Sequence, residues 1–133
     1  MSNPTPPNPE QVLAMMSQKM GETLPAWPKL LADLAPDLLV GTAMNSAGSV
    51  GREASPIPAR YRSLIAVAAA LGRGQASCAR SQAYMARQAG ATAEEVLDTV
   101  RIARHLAAAG IIDAATPLLA DLGAGPASGE KTR

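Results

Sequence analysis

The sequence predicts an all-α protein, a bundle of six or seven helices in one domain. Apolar residues make up 47% of the 133 positions, but phenylalanine is absent and only Trp27, Tyr61 and Tyr84 are aromatic, so the core must be aliphatic. Alanine-rich segments favour helices and disfavour strands. Capping residues, glycines and prolines divide the chain at helical intervals. A chain of this length can form one compact domain and is short for two.

The first helix is marked by a capping box. Asn8 can accept a hydrogen bond from the amide of Gln11, whose side chain can reach back, and Pro9 takes the first helical position. Apolar residues then recur at helical spacing until Gly21 ends the helix: Val12, Met15, Met16 and Met20. This methionine-rich stripe predicts a core or subunit contact rather than a cofactor site. We expect the first helix to contribute to a subunit interface.

Six further helices are expected along the chain. Their ranges are 27–34, a segment from Pro36, a segment from about Pro58, 75–89, 92–108 and 113–122. The loop 46–57 combines glycines and a proline, a mixture that resists regular structure. The run Leu64–Leu71 is apolar almost all round, which predicts the central buried helix.

The last three helices have the clearest boundaries. Gly90 is placed to end its helix in a left-handed cap, and Thr92 with Glu95 forms a capping box for the next helix. Gly110 is expected to separate that helix from a last short one. Residues 1–8 and 123–133 lack apolar periodicity and are expected to be flexible tails around a domain at 9–122.

Composition argues against several function classes. A formal net charge of +1 and three aromatic residues give little basis for binding nucleic acid. The run Leu64–Leu71 is the longest apolar stretch and is far shorter than the roughly 20 residues of a spanning helix, so no membrane span is expected. No secretory signal is visible, and a cytoplasmic location is expected. One histidine and one cysteine cannot supply the usual four zinc ligands, so neither a metal nor a cofactor is expected.

Cys78 is the only cysteine, which excludes two-cysteine redox chemistry within one chain. On a helix its face also carries two glutamines and three apolar residues: Gln75, Gln82, Met85, Ala86 and Ala89. The apolar residues predict that this face packs inward, where amide groups need hydrogen-bond partners. Either Cys78 is a small buried side chain whose flanking glutamines bond to loop backbone, or this face forms a polar site.

The stretch from Ser63 to Val96 resembles the signature of the carboxymuconolactone decarboxylase and alkyl hydroperoxidase D superfamily. That signature is an apolar helix led by Glu, then Cys-x-x-Cys-x-x-x-His, an Ala, Gly-Ala-Thr and a Glu-rich helix start. The corresponding residues here are Leu64–Leu71, Cys78, Ala86, Gly90-Ala91-Thr92 and Glu94-Glu95-Val96. The resemblance covers roughly residues 24–119. It implies an alkyl hydroperoxidase D-like helical fold in an obligate homo-oligomer, a trimer or hexamer.

This sequence departs from the signature where the family does its chemistry. By the resemblance, the first motif cysteine falls on Gln75, the second on Cys78, the histidine on Gln82 and the leading glutamate on Ser63. Hydroperoxidase members form a disulfide between the two cysteines during turnover. Here only a thiol from another molecule could resolve an oxidised Cys78. The resemblance therefore implies a residual pocket lined by Ser63, Gln75, Cys78 and Gln82.

Charged residues offer two further candidates. Arg73, Arg80 and Arg87 recur every seven residues and either form an exposed helix face or contact an anionic ligand; the first two also lie close to Cys78 in sequence. His105 lies opposite the apolar face of its helix, in line with a charged stripe: Glu94, Asp98 and Arg101. A solvated stripe is the simpler interpretation, and delivery of His105 to a neighbouring subunit is the alternative.

Three functions remain open from the sequence. The first is a redox-inactive family member that binds a small molecule in the residual pocket or acts as an interaction module with a protein partner. The second is an oxidoreductase, a single-cysteine peroxidase that uses Cys78 and an external thiol. The third is a lactone decarboxylase-type lyase, which needs no disulfide but lacks the acid/base pair, since glutamine cannot transfer protons.

Overall fold

The computed structural model describes residues 5–125, and within that range every regular element is helical. Seven α-helices and one short 3-10 helix (η1) follow one another in the order α1 Pro9–Met20, η1 Gly21–Thr23, α2 Trp27–Leu34, α3 Pro36–Ala47, α4 Ala59–Gly72, α5 Ala76–Gln88, α6 Ala93–Ala114 and α7 Thr116–Gly123. The predicted all-α class is confirmed. Most of the two expected tails lies outside the described residues.

Both predicted capping boxes form. The Oδ1 atom of Asn8 accepts a hydrogen bond from the backbone N–H of Gln11 at 2.8 Å, and the Gln11 side chain accepts one from the Asn8 backbone N–H at 3.2 Å. Thr92 and Glu95 make the same reciprocal pair at the start of α6, at 3.1 and 2.8 Å. Gly90 ends the preceding turn with φ 99°, a left-handed value that favours glycine.

The expected break at Gly110 is wrong, because α6 runs through it to Ala114. A single glycine inside a helix costs only about 1 kcal/mol relative to alanine, and three alanines, the strongest helix formers, directly precede this one. The chain bends instead at Ala115, where α7 begins with Pro117 in its first turn. Proline has no N–H to donate and so favours the start of a new helix over continuation of the old one.

The core consists of two apolar clusters. Val12, Met16 and Leu39 are buried together between α1, α2 and α3. Leu64, Ala86 and Ala91 form the second cluster, where α4 packs against α5 and α6. The apolar stripe of α1 therefore packs mostly against other residues of its own chain. Within the stripe only Met15 is exposed, by 41% of its surface. The subunit interface expected on α1 stays a prediction.

The predicted central helix, α4, packs against both α5 and α6. It is not buried on all sides, since Ile65 remains 55% exposed. Arg62 holds the loop before α4 in place by donating from Nε to the backbone oxygen of Val50 at 2.8 Å.

Among residues 5–125 no single helix has the length and apolarity to cross a membrane. Helices α6 and α7 together pass that test of length and composition, but they are bent by 46° relative to each other.

Candidate functional site

Helix α5 carries Cys78 and Gln82, two of the four residues of the expected pocket, and it also joins the two halves of the core. Its buried residues are Ala79, Ser81, Gln82 and Ala86. The Ser81 Oγ atom donates a hydrogen bond to the backbone oxygen of Thr23 at 2.7 Å. Close by, a Cβ atom at Gly21 would lie 3.1 Å from the Tyr84 hydroxyl oxygen, so the Tyr84 ring packs directly on the backbone that ends α1. These contacts fix α5 against α1 and η1.

The hydrogen bond from Ser81 joins residues 58 positions apart in the chain. Ser81→Ala is expected to lower the free energy of unfolding by about 1–3 kcal/mol, because the Thr23 carbonyl loses its partner in a partly buried site. Ser77→Ala, four residues earlier in an exposed position of the same helix, serves as the control. Urea titrations of the two variants give the comparison. Equal stability of both would mean that this hydrogen bond does not connect the two halves.

The structure places Gln75 and Cys78 on the exposed surface, which corrects the expected inward face. Gln75 is the residue that precedes α5, and Cys78 lies in the first helical turn. Both have the angular position that the sequence indicated, but within the first turn of α5 only Ala79 is buried. Helical spacing gives the angle of a side chain around its helix and not which part of each turn a neighbouring element covers.

Ser63 and Gln82, by contrast, are both buried, each with 8% of its surface exposed. Ser63 precedes Leu64 on α4 and Gln82 lies one turn before Ala86 on α5, and Leu64 and Ala86 belong to the same apolar cluster. The Oε1 atom of Gln82 is buried and has no hydrogen-bond partner within the described residues. A buried amide oxygen without a partner costs about 1–3 kcal/mol, so this atom needs an explanation.

Two cavities border α5, and neither is lined by the four residues of the expected pocket. One, of about 370 Å³, is lined by Ala83, Tyr84, Arg87, Ala93, Val96 and Leu97. The other, of about 380 Å³, is lined by Gln18, Lys19, Tyr84, Met85, Gln88 and Ala89. Tyr84 lies between them. The pocket of Ser63, Gln75, Cys78 and Gln82 therefore stays a prediction, with two of its members brought into the core and two left outside.

The three arginines do not form one continuous helical ridge. Arg73 follows the end of α4 and is separated from α5 by Gly74, which has φ 70°. Arg80 and Arg87 are exposed on α5, and the Nη1 atom of Arg87 donates to the backbone oxygen of Ala91 at 2.7 Å. Contact of Arg73 and Arg80 with an anion stays a prediction.

His105 is exposed on α6, beyond a charged stripe that the sequence identified. In this stripe Arg101 forms ion pairs with Glu94 at 2.9 Å and with Asp98 at 3.3 Å. The hydrogen bond to Glu94, followed by the one to Asp98, raises the pKa of Arg101 above its usual value. This arrangement agrees with the interpretation of the stripe as a charged helix face exposed to solvent.

Sequence reasoning did not identify Ser81 or the contact of Tyr84 with Gly21. The sequence contained one signal for Ser81, which is a small polar residue directly before Gln82 in a helix whose other small buried residues are alanines. Both contacts depend on which backbone segment α5 meets in the fold, and helical spacing carries no information about that.

Comparison with known proteins supports the resemblance. No curated protein sequence matches the chain significantly. The model of the carboxymuconolactone decarboxylase family matches residues 39–121, which is well over half of the chain and includes α4, α5 and α6 in full. Helices α1 and α2, which cover the start of the bundle, lie before the matched region. On this match the chain belongs to the carboxymuconolactone decarboxylase family.

Proposed function

We propose that this protein is a family member without dithiol peroxidase activity, and that it binds a small molecule through the polar residues between α4 and α5. The observation that carries the proposal is the buried Oε1 atom of Gln82, which has no partner in the described chain. An amide oxygen accepts hydrogen bonds. The expected ligand therefore presents a hydroxyl or N–H group to Gln82.

The chemistry of the other residues supports binding over catalysis. Glutamine at position 82 cannot exchange protons as a histidine does, and Ser63 has no base identified beside it. Cys78 is exposed, whereas Ser63 and Gln82 are both buried. We include in the proposal a homo-oligomer, a trimer or hexamer, and a cytoplasmic location. The proposal has a second form, in which the protein binds no small molecule and acts as an interaction module with a protein partner.

Native mass spectrometry of the purified full chain tests the ligand directly. The expected result is a mass excess that disappears on denaturation and is absent from Gln82→Met, which keeps the length of the side chain and removes the amide oxygen. Gln88→Met, at an exposed position of the same helix, should retain the excess. Identical ligand-free spectra for all three proteins would overturn the proposal of a bound small molecule.

A second candidate is a single-cysteine peroxidase, and the exposure of Cys78 in the first turn of α5 favours it. In that reaction a thiolate attacks the peroxide O–O bond and yields a sulfenic acid and an alcohol. An external thiol then condenses with the sulfenic acid to give a mixed disulfide and water, and a second external thiol releases the Cys78 thiol as the two external thiols form a disulfide. A lactone decarboxylase-type lyase is supported only by family membership.

We expect no peroxidase turnover from Cys78. The rate of cumene hydroperoxide consumption with dithiothreitol should be the same for the unaltered chain and for Cys78→Ser, because Gln82 stands where the family's motif has histidine, and glutamine cannot take the proton of the Cys78 thiol. The matched control is Ser77→Ala, an exposed change one residue away. Consumption that depends on Cys78 and is unaffected by Ser77→Ala would favour the second candidate.

A further inference from the structure

The end of α6 and the whole of α7 extend beyond the helices that support them. Helix α4 has 14 residues and α6 has 22, which correspond to about 21 and 33 Å. The end of α4, at Leu71 and Gly72, shares a cavity wall with α6 residues as late as Ala107. The remaining turns of α6 therefore run past the end of α4, and α7 packs against α6 alone among the described elements. We call residues 106–123 the arm.

Every large apolar side chain of the arm is exposed by half or more. The values are 63% for Leu106, 71% for Ile111, 64% for Ile112, 59% for Leu118, 50% for Leu119 and 70% for Leu122. Isolated helices of one to three turns are marginal in water, because most helix stability in proteins comes from packing an apolar face. We therefore expect the apolar side chains of the arm to pack against a surface outside this chain.

The accessible surface of the chain is larger than that of a compact monomer of the same mass. The chain exposes 9843 Å², and its mass is 13.6 kDa. A compact monomer of that mass exposes roughly 6,600 Å². Even if the twelve residues outside the described range are allowed the roughly 1,800 Å² of a fully extended chain, an excess of about 1,400 Å² remains. A standard protein interface covers about 800 Å² on each partner, so the excess is ample for a stable subunit contact.

The charges of the arm distinguish between possible covers. Residues 106–123 include Asp113 and Asp121 and no lysine or arginine. Helices that lie on anionic membranes carry basic residues on their polar face, so a lipid surface fits poorly. A second copy of this chain fits better, because each copy also exposes leucines on α2: Leu30 at 55% and Leu34 at 81%. In a homo-oligomer, the arm of one copy can therefore pack against the exposed leucines of another copy.

We propose that the arm, residues 106–123, is a subunit interface that packs against a second copy of this chain. The inference rests on the homo-oligomer proposed above and assigns its contact surface. It differs from the sequence-based expectation, which placed that surface on α1. It is independent of ligand binding at Gln82, which has its own readout.

Size-exclusion chromatography with light scattering tests the assignment on the full chain. Ile111→Glu is expected to reduce the mass of the assembly to that of the monomer, and Met15→Glu, the matched change on α1, to leave it unaltered. A monomeric unaltered chain would overturn the oligomer and the arm together. An oligomer that survives Ile111→Glu, or one that Met15→Glu also dissociates, would overturn the arm alone.

A second experiment uses milder substitutions, so that the test does not depend on whether the Ile111→Glu variant folds. In a Cys78→Ser background, the thiol introduced by Leu119→Cys should react with Ellman's reagent at least about tenfold more slowly than the thiol introduced by Ser17→Cys at an exposed position of α1, because assembly protects it. Equal rates would overturn the proposal. Co-sedimentation of the protein with phosphatidylcholine–phosphatidylglycerol vesicles, with protection only in their presence, would also overturn it in favour of a lipid surface.

Discussion

Leu39→Ala is expected to lower the free energy of unfolding by about 2–5 kcal/mol. Leu39 is 0% exposed and forms one of the two core clusters with Val12 and Met16. The substitution removes buried methyl groups and leaves a cavity that the surrounding helices fill only in part. Since small domains are stable by only about 5–15 kcal/mol, the loss is a large share of the total. Urea unfolding followed by circular dichroism measures it.

Leu38→Ala is the matched control, because Leu38 is the neighbouring residue on α3 and is 55% exposed. An exposed apolar side chain away from special features usually contributes within about 0.5 kcal/mol. A similar loss for both variants would contradict the core that we describe between α1, α2 and α3. If only the Leu38 variant were destabilised, Leu38 and not Leu39 would face that core.

Local signals allowed most helix boundaries to be predicted from the sequence. The capping box of Asn8 and Gln11 and the positive-φ cap at Gly90 need only residues within one turn of each other. Such signals act through backbone groups that every helix end must satisfy, whatever the tertiary structure around it. The expectation at Gly110 failed because helix propensity is a weak local preference that neighbouring alanines and isoleucines offset.

Burial could be predicted less well, because it depends on which part of each helical turn a neighbouring element covers. Cys78 has the angular position of an inward residue but is exposed, although Ala79, the next residue in the same turn of α5, is buried. Ile65 is likewise exposed, in a helix that the sequence placed at the centre. The candidate site was therefore half predicted: Ser63 and Gln82 are buried, and Gln75 and Cys78 are not.

Gln82→Met is expected to raise the free energy of unfolding of the ligand-free protein by about 1–3 kcal/mol. Gln82 is 8% exposed, and its Oε1 atom has no hydrogen-bond partner among residues 5–125. Methionine has nearly the same length, and it removes a buried amide while filling the same space. The same change is expected to remove the bound small molecule. Thermal and urea unfolding of ligand-free samples measure the gain in stability.

The two effects of Gln82→Met have opposite signs, and that opposition identifies the role of the residue. A residue kept for packing should destabilise the protein when it is changed, whereas a residue kept for binding can be replaced with a gain in stability and a loss of ligand. Gln88→Met, exposed on the same helix, should change neither property. A loss of stability in ligand-free Gln82→Met would show that the amide oxygen has a partner, such as a bound water, and would remove the basis for a ligand at Gln82.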